Sequence, residues 1–179
     1  TVLALVKSYA PRPFRILVSA YIELFRCTPH LLWILFIYFT VQGLDIVIST
    51  IAFTLFTSAV MAEIVRGGLN SIPRGQVEAA QSQGFGFFAT MRYIILPQAM
   101  STSMPAFMAN VIFLLKETSV FSAISLMDLM FTAKDLIGLY YKTTENLFLL
   151  VVFYLIILLP VSLLGSWLER RLRYAGFGS

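Results

Sequence analysis

The stretch NLFLLVVFYLIILLPVSLLGSWL, residues 146–168, contains no charged side chain. A helix rises about 1.5 Å per residue, so about 20 residues cover the ~30 Å hydrocarbon core of a bilayer, and this stretch is long enough to cross. Three more uncharged stretches, residues 27–44, 46–62 and 93–115, meet or approach the same length. The shorter ones can borrow flanking residues whose charged ends snorkel to the interface. Unpaired backbone groups in lipid cost several kcal/mol each, which makes closed helices the expected form. The predicted spans are about 27–44, 46–66, 93–116 and 146–168, with a connecting loop at 67–92 and a second long segment at 117–145.

Composition agrees with this reading. Of the 179 residues, 59% are hydrophobic and only 12% charged, whereas a soluble domain carries about 25% charged residues. One all-α membrane domain over 1–179 nearly exhausts the chain and leaves no room for a soluble catalytic domain. Residues 1–7 read as the tail of an apolar segment, not a signal peptide, because no basic region precedes them. The expectation is a bundle of about five spans with the first partly missing. The single cysteine, Cys27, excludes an internal disulfide, and the single histidine, His30, excludes two-histidine metal motifs.

The net charge of +4 is decided by where the charges lie. Lys7, Arg12, Arg15 and Arg26 precede the first span, Arg66, Arg74 and Arg92 fall between the second and third, and Arg170, Arg171 and Arg173 follow the fourth. That places ten of 13 basic residues on one side, which the positive-inside rule makes cytoplasmic, with the C-terminus on that side. Lys116, Lys134 and Lys142 share the other side with Asp45, Glu117, Asp128, Asp135 and Glu145. Three separated loops are orienting signals; a nucleic-acid face needs contiguous positive charge, so no nucleic-acid partner is expected. The short connection around Gly43 to Asp45 implies an antiparallel hairpin of the first two spans.

The long connection between the second and third spans reads as two short helices separated by a glycine. Ser71 suits an N-cap, Pro73 the first turn and Gly84 a left-handed stop. The helix predicted over 73–83 carries Val77 and Ala80 on one side, a weakly apolar knob too slight to bury itself. Such a helix suits docking in a groove of another protein.

At this point the sequence resembles a known family. EAAQSQG at 78–84, followed by ILP at 95–97, is similar to the EAA signature of ATP-binding-cassette import permeases, in which this loop docks as a coupling helix on the ATPase subunit. YIELFR at 21–26 with Thr28 and Pro29, AEIVRGG at 62–68, SIPRGQ at 71–76, LPQA at 96–99 and LLKETS at 114–119 resemble the polar amino acid branch, over nearly the whole chain. The resemblance implies a type I importer permease in the bacterial cytoplasmic membrane, crossing it several times. Its implied partners are two ATPase subunits, a second permease copy or paralogue, an extracellular or periplasmic substrate-binding protein, an amino acid substrate and the surrounding lipid. ATP and Mg would sit in the partner subunits, with no cofactor on this chain. Arg74, Gly75, Glu78, Ala79, Ala80 and Gly84 are the coupling candidates: Glu78 favoured near the helix N-terminus by about 0.3–1 kcal/mol, Ala79 and Ala80 fitting the partner groove, Gly84 permitting the sharp exit.

For substrate, Ser103, Asn110 and Glu117 recur every seven residues, about 10 Å apart on one helix face, with Ala106 between them. Thr50, Thr54, Thr57 and Ser58 form a second polar face; serine and threonine in membrane helices also serve simply as packing residues. In the family this chain resembles, the Asn110 position lies in the substrate pocket, and cation-transporting members tend to carry an acid there. An amide argues against a strong preference for arginine, lysine or histidine. Lys116 and Glu117 read either as an interfacial pair or, with Thr118 and Ser119, as the family's pocket rim recognising a zwitterion. His30, at a helix start near the cytoplasmic side, stands where relatives more often have leucine and some cation-selective ones carry an acid that touches substrate, so the resemblance makes it a candidate substrate contact, with a packing or interface role as the alternative. Cys27 stands where they have glycine.

No Gly-x-x-x-x-Gly-Lys-[Ser/Thr] loop occurs, so nothing here cradles ATP phosphates. A stand-alone secondary transporter or channel is the alternative, but it calls for internal repeats and embedded titratable groups, and the uncharged stretches show neither. A membrane enzyme would need a nucleophile with a base or paired acids near one interface. Near Cys27 and His30 the only acid in view is Glu23.

Overall fold

The structure is a computed structural model describing residues 2–41 and 45–172, and within them it contains helices and no strand. The order is α1 (Val2–Tyr9), α2 (Arg12–Cys27), α3 (His30–Thr40), α4 (Asp45–Asn70), α5 (Arg74–Ser82), α6 (Phe87–Thr90), a π turn (Met91–Ile95), α7 (Leu96–Glu117), a 3₁₀ segment (Thr118–Ile124), α8 (Leu129–Tyr140) and α9 (Thr143–Leu172). Three helical stretches are long and apolar enough to cross a membrane: Ile46–Asn70, Phe87–Ile124 and Thr143–Arg171.

The stretch predicted as the first span departs from expectation. Its helix, α3, has 11 residues, about 16 Å of rise, and meets α2 at a bend of 100°. Thr28-Pro29 is the cause. The residue before a proline is driven out of the helical region, and Thr28 is extended at φ −116°, ψ 142°. The Thr28 hydroxyl donates to the Leu24 carbonyl and accepts from Trp33 Nε1 at 2.6 Å, tying the two sides of the break together. Only as a bent pair do α2 and α3 supply a fourth span. The hairpin turn expected around Gly43 lies outside the described residues.

The second span is longer than predicted. Helix α4 continues through Arg66 to Asn70 and stops where the Ser71 hydroxyl donates to the Gly68 carbonyl at 2.7 Å. Ser71 therefore closes α4, and the N-cap expected of it for α5 falls instead to Pro73, without a side-chain bond. Downstream, α6 runs through the π turn into α7 without a break. The wider turn ends two residues before Pro97, whose missing N–H leaves the Tyr93 carbonyl without its usual helical partner.

Helix α4 is the centre, packed against α1, α2, α3 and α7. Its contact with α7 is set by Gly68, where a Cβ would stand 1.9 Å from Ser103 Oγ and 2.5 Å from the Ala99 carbonyl oxygen. Small residues that let backbones approach are how helices associate where lipid is as apolar as leucine. Alanines Ala52, Ala59 and Ala62 carry the same face of α4 into buried contact with α2 and α3. On the far side α9 packs on α7, with Gly165 against Met108, and on α8.

Candidate functional site

Two regions collect the functional candidates. The first is a cavity of about 440 Å³ lined by Thr50, Phe53, Thr54, Thr57 and Ser58 of α4, Leu114 of α7 and Phe121 of the 3₁₀ segment. The whole threonine face legible in the sequence thus lines one space. Thr50 and Ser58 donate to the Ile46 and Leu55 carbonyls of their own helix, at 2.7 and 2.9 Å. Ser58 also hydrogen-bonds the Tyr21 hydroxyl at 2.6 Å, which fixes α2 against α4. Among the described residues Thr54 and Thr57 form no hydrogen bond, so their hydroxyls remain able to donate to and accept from a polar solute.

Outside the cavity lining, His30 Nε2 lies 2.6 Å from Glu117 Oε2, joining the start of α3 to the end of α7. The imidazole also stacks at a tilt on Phe56, 5.1 Å between ring centroids. The sequence reading put His30 near the cytoplasmic edge and Glu117 on the opposite side. The structure brings the two together beside Phe56, near the middle of α4. The Lys116–Glu117 pair does not form: Lys116 is exposed and Glu117 takes His30 instead.

Asn110 is 8% exposed, and its amide nitrogen has no hydrogen-bond partner. Burying such a donor unpaired costs about 1–3 kcal/mol. Ser103, by contrast, donates to the Ala99 carbonyl and packs on α4, and Ala106 faces outward, so the seven-residue stripe is not one continuous lining. Thr118 donates locally to the Leu115 carbonyl at 2.8 Å, and Ser119 is half-buried at the start of the 3₁₀ segment. Neither lines the cavity, although Leu114 and Phe121 on either side of them do. Of the charges between α7 and α9, half-buried Asp128 caps α8 by accepting from the Phe131 N–H at 2.6 Å, and Lys134 bonds Ser122, while Asp135 and Lys142 are exposed.

The second region is α5. Arg74, Gly75, Glu78 and Ala79 are exposed, but Ala80 is only 2% exposed. The helix does bury a face of its own: Val77 packs with Leu69, Met91, Ile95 and Ala99. Ala80 is therefore an anchor and not part of any free surface, correcting the reading that paired it with Ala79. Glu78 is the fifth residue of α5, beyond the first turn where the helix dipole acts, and its carboxylate makes no bond within the described residues. Gly84 has φ +82°, the left-handed conformation that glycine adopts without strain.

A third cluster went unforeseen. Lys7, Arg26 and Arg66 surround Glu63, at 2.7, 4.0 and 2.7 Å, with Glu23 bridging Lys7 and Arg26. The three basic residues were read only as orienting charges. Glu23 with Arg26 and Glu63 with Arg66 are three residues apart on helices, a pairing signal present in the sequence. The reach of Lys7 across from α1 carries no such signal.

A family model described as the binding-protein-dependent transport system inner membrane component matches residues 1–174. The probable glutamine ABC transporter permease protein GlnM of Bacillus subtilis (strain 168) is 34% identical over 167 residues, covering 90% of this chain and 77% of that protein. The arginine transport system permease protein ArtQ of the same organism is 32% identical over 178 residues, 96% of this chain and 81% of that protein. Among solved structures, an amino acid ABC transporter crystallised with histidines superposes with a TM-score of 0.87 at 34% identity, covering 95% of this chain and 82% of that one. The inward-facing MetNI methionine ABC transporter, at 20% identity and a TM-score of 0.79 over 96% of this chain and 83% of that one, shares the fold. The chain belongs to the family of binding-protein-dependent transport system inner membrane components.

Proposed function

We propose that this chain is the membrane permease subunit of an ATP-driven amino acid importer, working by alternating access. The observation that carries the reading is α5: a short helix whose Arg74, Gly75, Glu78 and Ala79 face outward while Val77 and Ala80 anchor it to the root of α7. A helix that is both free on one side and locked on the other can receive a push and pass it on. The partner that pushes is a pair of ATPase subunits holding ATP and its magnesium. As they close, α5 moves with the π turn and α7, and the end of α7 carries Glu117 and the cavity wall at Leu114 with it.

The substrate is an amino acid handed over by a binding protein on the opposite side, where Asp135 and Lys142 are available for docking. In the cavity, Thr54 and Thr57 offer hydroxyls, and a zwitterion's ammonium can compete with His30 for Glu117. Asn110 supplies a neutral amide, which fits a side chain without full positive charge. A second permease, identical or paralogous, completes the pathway about a two-fold axis, since one copy has too few helices to enclose it. The basic ends of α1, α2, α4 and α9 face the cytoplasm of a bacterial inner membrane, with the C-terminus on that side.

The test uses the assembled transporter in proteoliposomes. Exchanging Ala79 for a bulky Trp on the free face of α5 should abolish ATP-driven uptake while leaving substrate binding by the receptor intact. Glu117→Ala should remove the substrate's stimulation of ATP hydrolysis. If both variants transport and hydrolyse as the parent does, the reading is wrong.

A further inference from the structure

Beside the Glu63 cluster, the ends of α1 and α4 and the start of α2 enclose a hollow of about 240 Å³ lined mostly by residues with polar or basic side chains. Lys7 and Ser8 come from α1, Arg15 and Ser19 from α2, and Arg66 and Asn70 from α4, with Tyr9 at the rim. These residues point to an anion. Lys7, Arg66 and the adjacent Arg26 share two carboxylates, Glu23 and Glu63, whereas among the described residues Arg15 has no carboxylate and reaches only the Ala10 carbonyl at 3.4 Å. Four cations against two acids leave a surplus of positive charge around the hollow. The Ser8 hydroxyl is shut off from solvent and has no partner, a donor left over by the fold itself.

The surroundings select the kind of anion. Arg15 and Ser19 are one turn apart on α2; Phe14 and Ile16, on either side of Arg15, are 59% and 66% exposed, and Leu17, further round the helix, is 68% exposed. A soluble ion has no use for apolar side chains on either side of its seat. A molecule with a phosphate head and hydrocarbon tails does, and the hollow lies at the end of α4, an apolar helix long enough to span. We infer that this hollow is a seat for the phosphate headgroup of an anionic phospholipid, with Arg15 as its principal contact, Lys7 and Arg66 completing the positive wall, and the acyl chains running over Phe14, Ile16 and Leu17. Occupancy would draw α1, α2 and α4 together at the point where the charge surplus drives them apart. The seat requires only that the chain be embedded in a bilayer and is independent of which solute is carried.

The experiment uses the assembled transporter in nanodiscs of phosphatidylcholine, alone or mixed with phosphatidylglycerol. Native mass spectrometry counts retained phosphatidylglycerol, and thermal unfolding reports its stabilising effect. Parent protein should retain the lipid and unfold at a higher temperature in the mixed discs. Arg15→Gln should bind it about fivefold more weakly, the loss expected for one basic side chain at a membrane surface, and Arg15→Lys should restore most of the binding. Because Arg15 is exposed and outside the Glu63 cluster, unfolding of Arg15→Gln in pure phosphatidylcholine should match the parent. Equal retention by parent and Arg15→Gln overturns the proposal. So does inorganic phosphate in pure phosphatidylcholine discs, if it alone reproduces the Arg15-dependent rise, since the ligand is then a soluble anion.

Discussion

Helices α4 and α9, of 26 and 30 residues, treat apolar surface in opposite ways. The apolar window of α9 has a mean hydropathy of 3.0, and none of it is buried by the chain; that of α4 reaches only 1.7, and 28% of it is buried. In water the order would be reversed, because burial follows hydrophobicity. In a bilayer leucine gains nothing by leaving lipid, so contacts between helices are made by what packs closely or pairs: Ala52, Ala59, Ala62 and Gly68 on α4, and Glu63 with its cations. On α4 the close helix contacts are set by small and polar residues, whereas the large apolar side chains of α9 stay on the outside.

Substitutions can break that contrast. The largest effect is expected at Gly68. Valine there must displace Ser103 and the Ala99 backbone, so α4 and α7 separate, at a cost of about 3 kcal/mol or more; thermal unfolding in detergent should show early loss of assembly. Glu63→Gln comes next. Removing the carboxylate leaves Lys7 and Arg66 facing each other at a site 14–35% exposed, so the loss should be about 2 kcal/mol, below the ~3–5 kcal/mol of a fully buried pair. Thr57→Val keeps the shape of the cavity wall but removes a free hydroxyl. Uptake assays should show a KM raised by up to about tenfold, the worth of one hydrogen bond, with thermal stability nearly unchanged. Smallest is Leu155→Ala on the outer face of α9, 60% exposed within the chain, which should shift unfolding by no more than about 0.5 kcal/mol. A large loss there would show that a partner subunit, not lipid, covers that face.

How much of this could be read beforehand follows from the same contrast. The long apolar helices α7 and α9 are legible in the uncharged runs 93–115 and 146–168 because a run without charge has few other readings. The left-handed Gly84 and the short helix after Pro73 are legible because their chemistry is local. The Thr28-Pro29 break stands in plain view at the start of the predicted span 27–44, yet the run after it reads as a full span of its own, since hydropathy is blind to direction. Depth is the quantity that sequence conveys least: His30 and Glu117 meet at 2.6 Å only because the bend carries α3 inward, and no count of flanking charges contains that angle. Ala80 shows the complementary limit. Its neighbour Ala79 has the same chemistry and the opposite environment, a difference made by Val77 docking on Met91 and Ile95 across the glycine turn.

The close approach at Gly68 has a mechanical consequence. Where backbones touch, α7 can tilt against α4 but cannot slide past it, so the contact at Ser103 acts as a fulcrum. From there to the start of α7 at Leu96 is about 10 Å, and to Glu117 about 21 Å. The arms are unequal by roughly a factor of two. A small shift at the inner end therefore returns at the far end in the opposite direction and about twice as large, with Pro105 beside the fulcrum as the one place where the beam can flex.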